Sequence, residues 1–294
     1  MSKKKMLGLA LLVMVLWGSL FPTVKLGYQA YGIVTTGDIL FFAGVRFTIC
    51  GAIICLYAFF RDNQSYKPVK KVILPILMSG GFAIILHYSF TYLGLSLTES
   101  SKTAIIKQVG AIFYICFSFL FFKDDKTTFR KTVAVIMGIA GVIAINVNAE
   151  GISFNIGDVL IIAASFCTVI SNIISKKVFA TVHPITSTGV SQFFGGIILL
   201  FMGRCFGGSM HFVWDKSFVM IYICLASIIS YCIWFIVVKS GNLSNLFIIK
   251  FAEPMCACVF GALILGEDIF KIQYLVAFLL IAGGIYISNK NKKS

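Results

Sequence analysis

Two lysines, a glutamate and a proline stand where a membrane-spanning helix would ordinarily carry leucine. Ile248-Ile249-Lys250-Phe251-Ala252-Glu253-Pro254 lies inside one long apolar run and Ile105-Ile106-Lys107 inside another, the two lysines being 143 residues apart. A charge near the centre of a bilayer costs on the order of 3 kcal/mol even on a lenient insertion scale, so a matched pair needs a reason. One reason is chemical: two ammonium groups facing each other across a hollow can hold an anion between them. Another is geometric. About six residues into a helix, at about 1.5 Å per residue, a lysine is roughly 9–10 Å from the helix start and can snorkel to a headgroup layer. Glu253 lies one turn beyond Lys250, where it either neutralises that lysine as an i,i+3 partner, receives a substrate ammonium or carries a coupling proton. Lys107, Lys250 and Glu253 sum to net +1, which favours an anionic or zwitterionic solute over a cationic one.

Aromatic and amide candidates surround these charges. Tyr88 and Tyr231 are also 143 residues apart, with His87, Tyr92 and Trp234 beside them, and Trp17 lies in the first apolar run. They suit an aromatic wall for the apolar body of a substrate, and they suit ordinary packing in a chain with 29 Phe and 11 Tyr. Asn172 and Gln192 lie inside apolar runs, either as interhelical hydrogen bonds worth about 0.6 kcal/mol or as cavity lining. Arg46 lies roughly eight residues into its run, where interfacial snorkelling competes with a gating role. Pro22 and Pro254 each remove a backbone donor, which either kinks a helix or loosens it beside a cavity. His183 and His211 have few other ligands nearby, and neither a His-Glu-x-x-His motif nor a phosphate-binding loop occurs, so no metal or other cofactor is expected. The nine cysteines fall almost entirely in apolar runs, as small core hydrophobes.

The elements that must position these residues are membrane helices. The chain of 294 residues is 59% hydrophobic and 12% charged, with mean hydropathy +0.96, whereas a soluble domain is roughly 25% charged. Apolar segments of about 20 residues recur throughout, so the fold class is an all-α polytopic membrane protein. The alternation of a β-barrel is absent. Ten spans fit, at about 6–24, 38–60, 72–95, 101–122, 130–147, 157–179, 185–204, 217–238, 244–265 and 270–288. Lys3-Lys4-Lys5 before an apolar stretch resembles a signal peptide, but the stretch runs on to Trp17 without a small-x-small cleavage site and reads as a retained first helix. With the N-terminus inside, seventeen Lys and Arg fall on the inner side and five on the outer, which places both termini in the cytoplasm of a cell-membrane protein. The net charge of +14 is thereby a property of loops, and no nucleic-acid partner is implied.

Sliding the chain by 143 residues aligns about 83–146 with 226–289 without a gap. Tyr88 falls on Tyr231, Ser101 on Ser244, Lys107 on Lys250, Ala134 on Ala277 and Gly141 on Gly284. Two copies of five helices follow, 1–148 and 152–294. Because five is odd, the second copy enters the bilayer from the opposite side, giving two inverted repeats.

Leu16-Trp17-Gly18-Ser19-Leu20-Phe21-Pro22, Arg46, Glu253-Pro254, Gly266-Glu267-Asp268 and Ile281-Ala282-Gly283-Gly284 occur in an order that resembles the drug/metabolite transporter superfamily, in its ten-helix branch with two EamA-type repeats. The resemblance covers nearly the whole chain and implies a carrier. Ala111 stands where the family often has a proline in helix 4, so that helix is expected to be straighter than its counterpart. Lys107 and Lys250 are not general to the family. In position they are similar to the anion-holding basic residues on the fourth and ninth helices of the phosphate-sugar translocators of the same superfamily.

The expected function is therefore a secondary transporter moving a small anionic or zwitterionic metabolite by alternating access between the two repeats. It would be driven by the substrate's own gradient, a counter-substrate or protons, in the lipid bilayer as a monomer or homodimer. An amino acid or amine transporter of the same superfamily is the nearest alternative. A channel should carry a polar stripe through several spans, and a membrane enzyme a nucleophile-base pair or clustered ligands. The polar residues instead gather at one depth, which also weighs against a non-transporting partner protein.

Overall fold

Inside a bilayer each backbone N–H and C=O must find its partner within its own segment, so long apolar runs fold as helices. The computed structural model describes residues 3–61, 69–110, 112–114, 129–148, 151–152, 154–240, 249–250, 252–268 and 270–289. The chain runs α1 (Lys3–Tyr31), α2 (Thr36–Arg61), α3 (Val69–Gly80), a π-helical stretch (Gly81–Leu86), α4 (His87–Leu97), α5 (Ser100–Ile106) and α6 (Phe129–Ile145). It continues with α7 (Ile156–Val178), α8 (Pro184–Cys205), α9 (Ser217–Ser240), α10 (Ala252–Leu265) and α11 (Ile272–Asn289). A minimal antiparallel pair, β1 (Val147–Asn148) with β2 (Gly151–Ile152), lies between α6 and α7. Among the described residues six helices are long and apolar enough to cross a membrane, and three shorter ones are apolar. The second part of the fourth expected span, 101–122, falls outside the described residues, as do Ala111 and the first part of the ninth. Phe60, Phe201 and Leu263 point outward and are exposed, a surface that suits lipid.

Glycines set how closely the helices approach. α2 and α8 pack along their whole length through two sets of glycines at seven-residue steps, Gly37, Gly44 and Gly51 on one and Gly189, Gly196 and Gly203 on the other. A Cβ on Gly51 would lie 2.2 Å from the backbone nitrogen of Phe193, and one on Gly196 would lie 2.3 Å from that of Thr48. Going up α2 from Phe41 to Thr48 to Cys55, the partner glycine goes down α8 from Gly203 to Gly196 to Gly189, so the pair is antiparallel. Without a hydrophobic drive between helices in lipid, such backbone-to-backbone contact supplies the attraction. The same occurs on a smaller scale between α6 and α11, where Gly141 meets Ile281 and the Ala277 carbonyl while Gly284 meets the Ala134 carbonyl and Met137.

α1 crosses α10 at Gly18, whose missing Cβ leaves room for the Glu253 carbonyl and Ala257. α1 is also longer than its expected span. It runs to Tyr31, where Gly32 takes φ 62° and the Ile33 N–H donates to the Tyr28 carbonyl at 2.9 Å, closing the helix in a Schellman turn.

The seam predicts a clear asymmetry between glycines. Gly51→Leu or Gly196→Val should cost about 3 kcal/mol or more through overpacking against backbone, read as a large drop in thermal midpoint or loss of a monodisperse peak in detergent. Gly8→Ala, with nothing within 4 Å of the new methyl, should leave both measurements unchanged. Equal tolerance at Gly8 and Gly51 would mean the seam is not close-packed.

Candidate functional site

α1, α4, α7, α9 and α10, with Arg46 of α2 and the Lys107–Gly110 segment, surround a cavity of about 1080 Å³ when its open mouth is counted. Trp17, Arg46, His87, Tyr88, Lys107, Asn172, Tyr231, Trp234, Lys250 and Glu253 all line it. Gln192 does not. It is 1% exposed in an adjoining chamber of about 300 Å³ with Ser79, Ser175, Ser187 and Ser191, and neither of its amide atoms has a hydrogen-bond partner among the described residues. Pro22 and Pro254 are absent from both linings.

Both lysines sit at breaks in their helices. α5 ends at Ile106, and Lys107 and Gln108 form a turn before the helix resumes, with the Gln108 N–H reaching back only to the Ile105 carbonyl at 3.0 Å. The Lys107 carbonyl accepts from the Ser165 hydroxyl and the Gly110 N–H, each at 3.2 Å. No proline causes this break, and Ala111, on which the expectation of a straighter fourth helix rests, lies outside the described residues. The Ser165 hydroxyl of α7, packed against this segment, lies within reach of the Lys107 carbonyl and, at 3.0 Å, of the Ile161 carbonyl on its own helix. Lys250 likewise occupies a turn ahead of α10, and the Glu253 N–H donates to its carbonyl at 3.0 Å. Pro254 then falls in the first turn of α10, where a missing N–H breaks no bond.

The charged side chains in the cavity are not paired with one another. The Lys107 ammonium lies 5.1 Å from the Phe21 ring centre, and the Lys250 ammonium lies 5.5 Å and 5.7 Å from the rings of Trp17 and Trp234. Glu253 is 3% exposed, and no ion pair joins it to Lys250 among the described residues. The expected local pairing is therefore not made, and cation–π contacts stabilise Lys250 instead. Arg46 neither snorkels nor reaches an interface. It is 1% exposed, donating through Nε and Nη2 to the Ser227 hydroxyl at 3.0 and 2.6 Å and through Nη1 to the Tyr92 hydroxyl.

The two symmetric tyrosines meet directly, Tyr88 and Tyr231 sharing a hydrogen bond between hydroxyls, with Trp17 edge-on to Tyr231 at 5.8 Å. His87 follows the π-helical stretch at once. Its Nδ1 lies 3.0 Å from the Ala164 carbonyl and 2.7 Å from the Thr168 hydroxyl, both on α7.

One end of the bundle, opposite the N-terminus of α1, is laced shut by groups that reading the sequence did not assign. Glu267, in the turn after α10, accepts from the backbone N–H groups of Ser100 and Ser101 at 2.8 and 3.0 Å and from both their hydroxyls at 2.6 Å. Lys25 of α1 approaches the same carboxylate at 3.9 Å. Lys271 donates to Glu99 at 2.8 Å, Tyr274 donates to the other oxygen of Glu99, and Lys102 donates to Asp158 at 3.0 Å. In sequence the Ser-Ser pair opens an apolar run, and the carboxylate that caps it, within Gly266-Glu267-Asp268, comes from 166 residues away.

Comparison with known proteins agrees with this architecture. The EamA-like transporter family profile matches residues 4–147 and again 155–289. An uncharacterized transporter of Archaeoglobus fulgidus is 22% identical over 97% of this chain and 98% of its own length. The uncharacterized transporter YoaV of Bacillus subtilis is 25% identical over 97% and 96%. The uncharacterized inner membrane transporter YedA of Escherichia coli is 20% identical over 93% and 87%. One crystal structure superposes with a TM-score of 0.71 over 97% of this chain and 96% of the other at 18% identity, a likeness of fold.

Burial alone would raise the Glu267 carboxyl, but its four hydrogen bonds from Ser100 and Ser101 hold it below the usual carboxylate value. A carboxyl depressed in the folded state contributes stability above its unfolded value and loses it as pH falls through the folded one. Glu267→Gln should therefore lower the thermal midpoint at pH 7, by about 1–2 kcal/mol after discounting for solvent, with the gap to the parent closing below about pH 4. A constant gap from pH 7 to pH 3.5 would rule out this role.

Proposed function

Because the chain belongs to the EamA-like transporter family, we propose that it is a secondary transporter of a small anionic metabolite, working by alternating access. The observation that carries this reading is the cavity itself, where Lys107, Lys250 and Arg46 face one carboxylate, Glu253, with no ion pair among them. An uncompensated cation in a dry site is costly, and an anionic solute removes that cost on binding. The turns at Lys107 and Lys250 put irregular backbone beside the cavity, as broken helices do at carrier sites.

The two family matches, and the antiparallel packing of α6 against α11 through equivalent residues, support two inverted copies with a boundary near 148–152. Both termini lie in the cytoplasm in this reading, on the strength of the basic-residue asymmetry. The Glu267, Glu99 and Asp158 cluster is then an outer gate, shut here, and opening it would need Lys25, Ser100 and Ser101 to part from Glu267. The family and the relatives named as transporters point away from enzymatic activity.

A second reading rests on Glu253 alone. Buried and unpaired, it suits a substrate ammonium, which makes the solute a zwitterion such as an amino acid.

Counterflow in proteoliposomes tests both. Lys107→Gln and Lys250→Gln should each reduce anion uptake about thirtyfold or more, the loss expected on removing one partner of a buried charge pair, while the thermal midpoint stays near that of the parent. Parental uptake by either variant would remove that lysine from the site. Glu253→Gln should cripple amino acid uptake and spare simple carboxylates under the second reading only.

A further inference from the structure

Arg46 carries the argument further than the lysines do. Its guanidinium is buried, with the rings of Phe47, Tyr88 and Tyr92 at 4.7, 5.4 and 5.8 Å, and every oxygen it meets belongs to a neutral hydroxyl. Two of its five N–H donors remain unspent. Ser227 commits its own proton to the Ile223 carbonyl, and so can only accept from Arg46. Tyr92 accepts from Nη1, which leaves its phenolic proton to donate elsewhere. The result is a guanidinium edge and a phenol O–H, both preset as donors on the cavity wall.

Lys250 is not at the same spot. A chain of contacts separates the two cations: Arg46 lies over Tyr88, Tyr88 bonds Tyr231, Tyr231 stands edge-on to Trp17, and Trp17 lies beneath Lys250. Arg46, Lys107 and Lys250 against Glu253 leave a formal charge of +2, so a monoanion still leaves one buried cation unmatched.

We infer that the solute carries two negative charges, one held by Arg46 and Tyr92 and the other by the lysines. A dicarboxylate and a phosphomonoester share that chemistry. The inference rests on the anionic reading above and sharpens it.

The purified full-length chain should be titrated with butyrate, succinate, glycerol 3-phosphate and alanine, following thermal stabilisation and competition. Succinate or glycerol 3-phosphate should bind about a hundredfold tighter than butyrate, and whichever wins names the source of the charge. Arg46→Gln should reduce that advantage to near unity, and Arg46→Lys should keep most of it. Should Arg46→Gln not fold, the ranking on the parent protein still decides. Equal affinity for butyrate and succinate, or an advantage that survives in Arg46→Gln, overturns the inference and leaves the anionic reading standing. Binding of alanine alone, or of none of the four, overturns both.

Discussion

The contact between α2 and α8 is the constraint on which the rest depends. Six glycines at seven-residue steps let two backbones touch over the full depth of the bundle, in a solvent that offers helices no hydrophobic reason to associate. The cavity lies beside that seam, lined by α1, α4, α7, α9 and α10 together with Arg46. Arg46 projects into that cavity from the seam helix α2, between Gly44 and Gly51. Its fixed backbone explains how a guanidinium can be held with no carboxylate beside it.

Against this rigid pair, the cavity walls are irregular. The helices break at Lys107 and Lys250, and the third span carries a π-helical stretch beside His87 and Tyr88. Each irregularity frees backbone groups that would be intolerable facing lipid and are tolerable facing a polar hollow. The far end is different again. There the contacts are charged and hydroxyl-rich, with Glu267 acting on the N-terminus of α5 as an anion acts on any helix start. Polar contacts in water exchange readily, whereas a backbone seam in lipid does not, so the bundle combines a fixed pair with a separable end.

How much of this was legible in the sequence depended on whether a residue violated its surroundings. Lys107, Lys250 and Glu253 stood out because charge in an apolar run is rare, and the 143-residue offset that paired them also paired Tyr88 with Tyr231. Arg46 violated its surroundings too, but a long side chain roughly eight residues into a span has two exits, and only packing chooses between them. The glycines were in plain view and carried no message, since glycine is common in membrane helices and a stripe has no meaning until its partner helix is known. The break at Lys107 left no trace at all, because no proline marks it and its polar neighbour Ser165 comes from another helix. Glu267 was quoted as part of a motif and given no role, because its partners lie on span four.

The π-helical stretch Gly81–Leu86 has a consequence for phasing along the third span. A π turn accommodates one residue more than an α turn does, so everything after it is rotated by about 100° relative to an uninterrupted helix. His87, Tyr88, Thr91 and Tyr92 owe their inward bearing to that single surplus residue, while the helix before it keeps its own facing against α7 and α8. Excising one residue there would leave composition and hydropathy almost untouched, yet it would swing His87, Tyr88 and Tyr92 round the axis and out of the hollow.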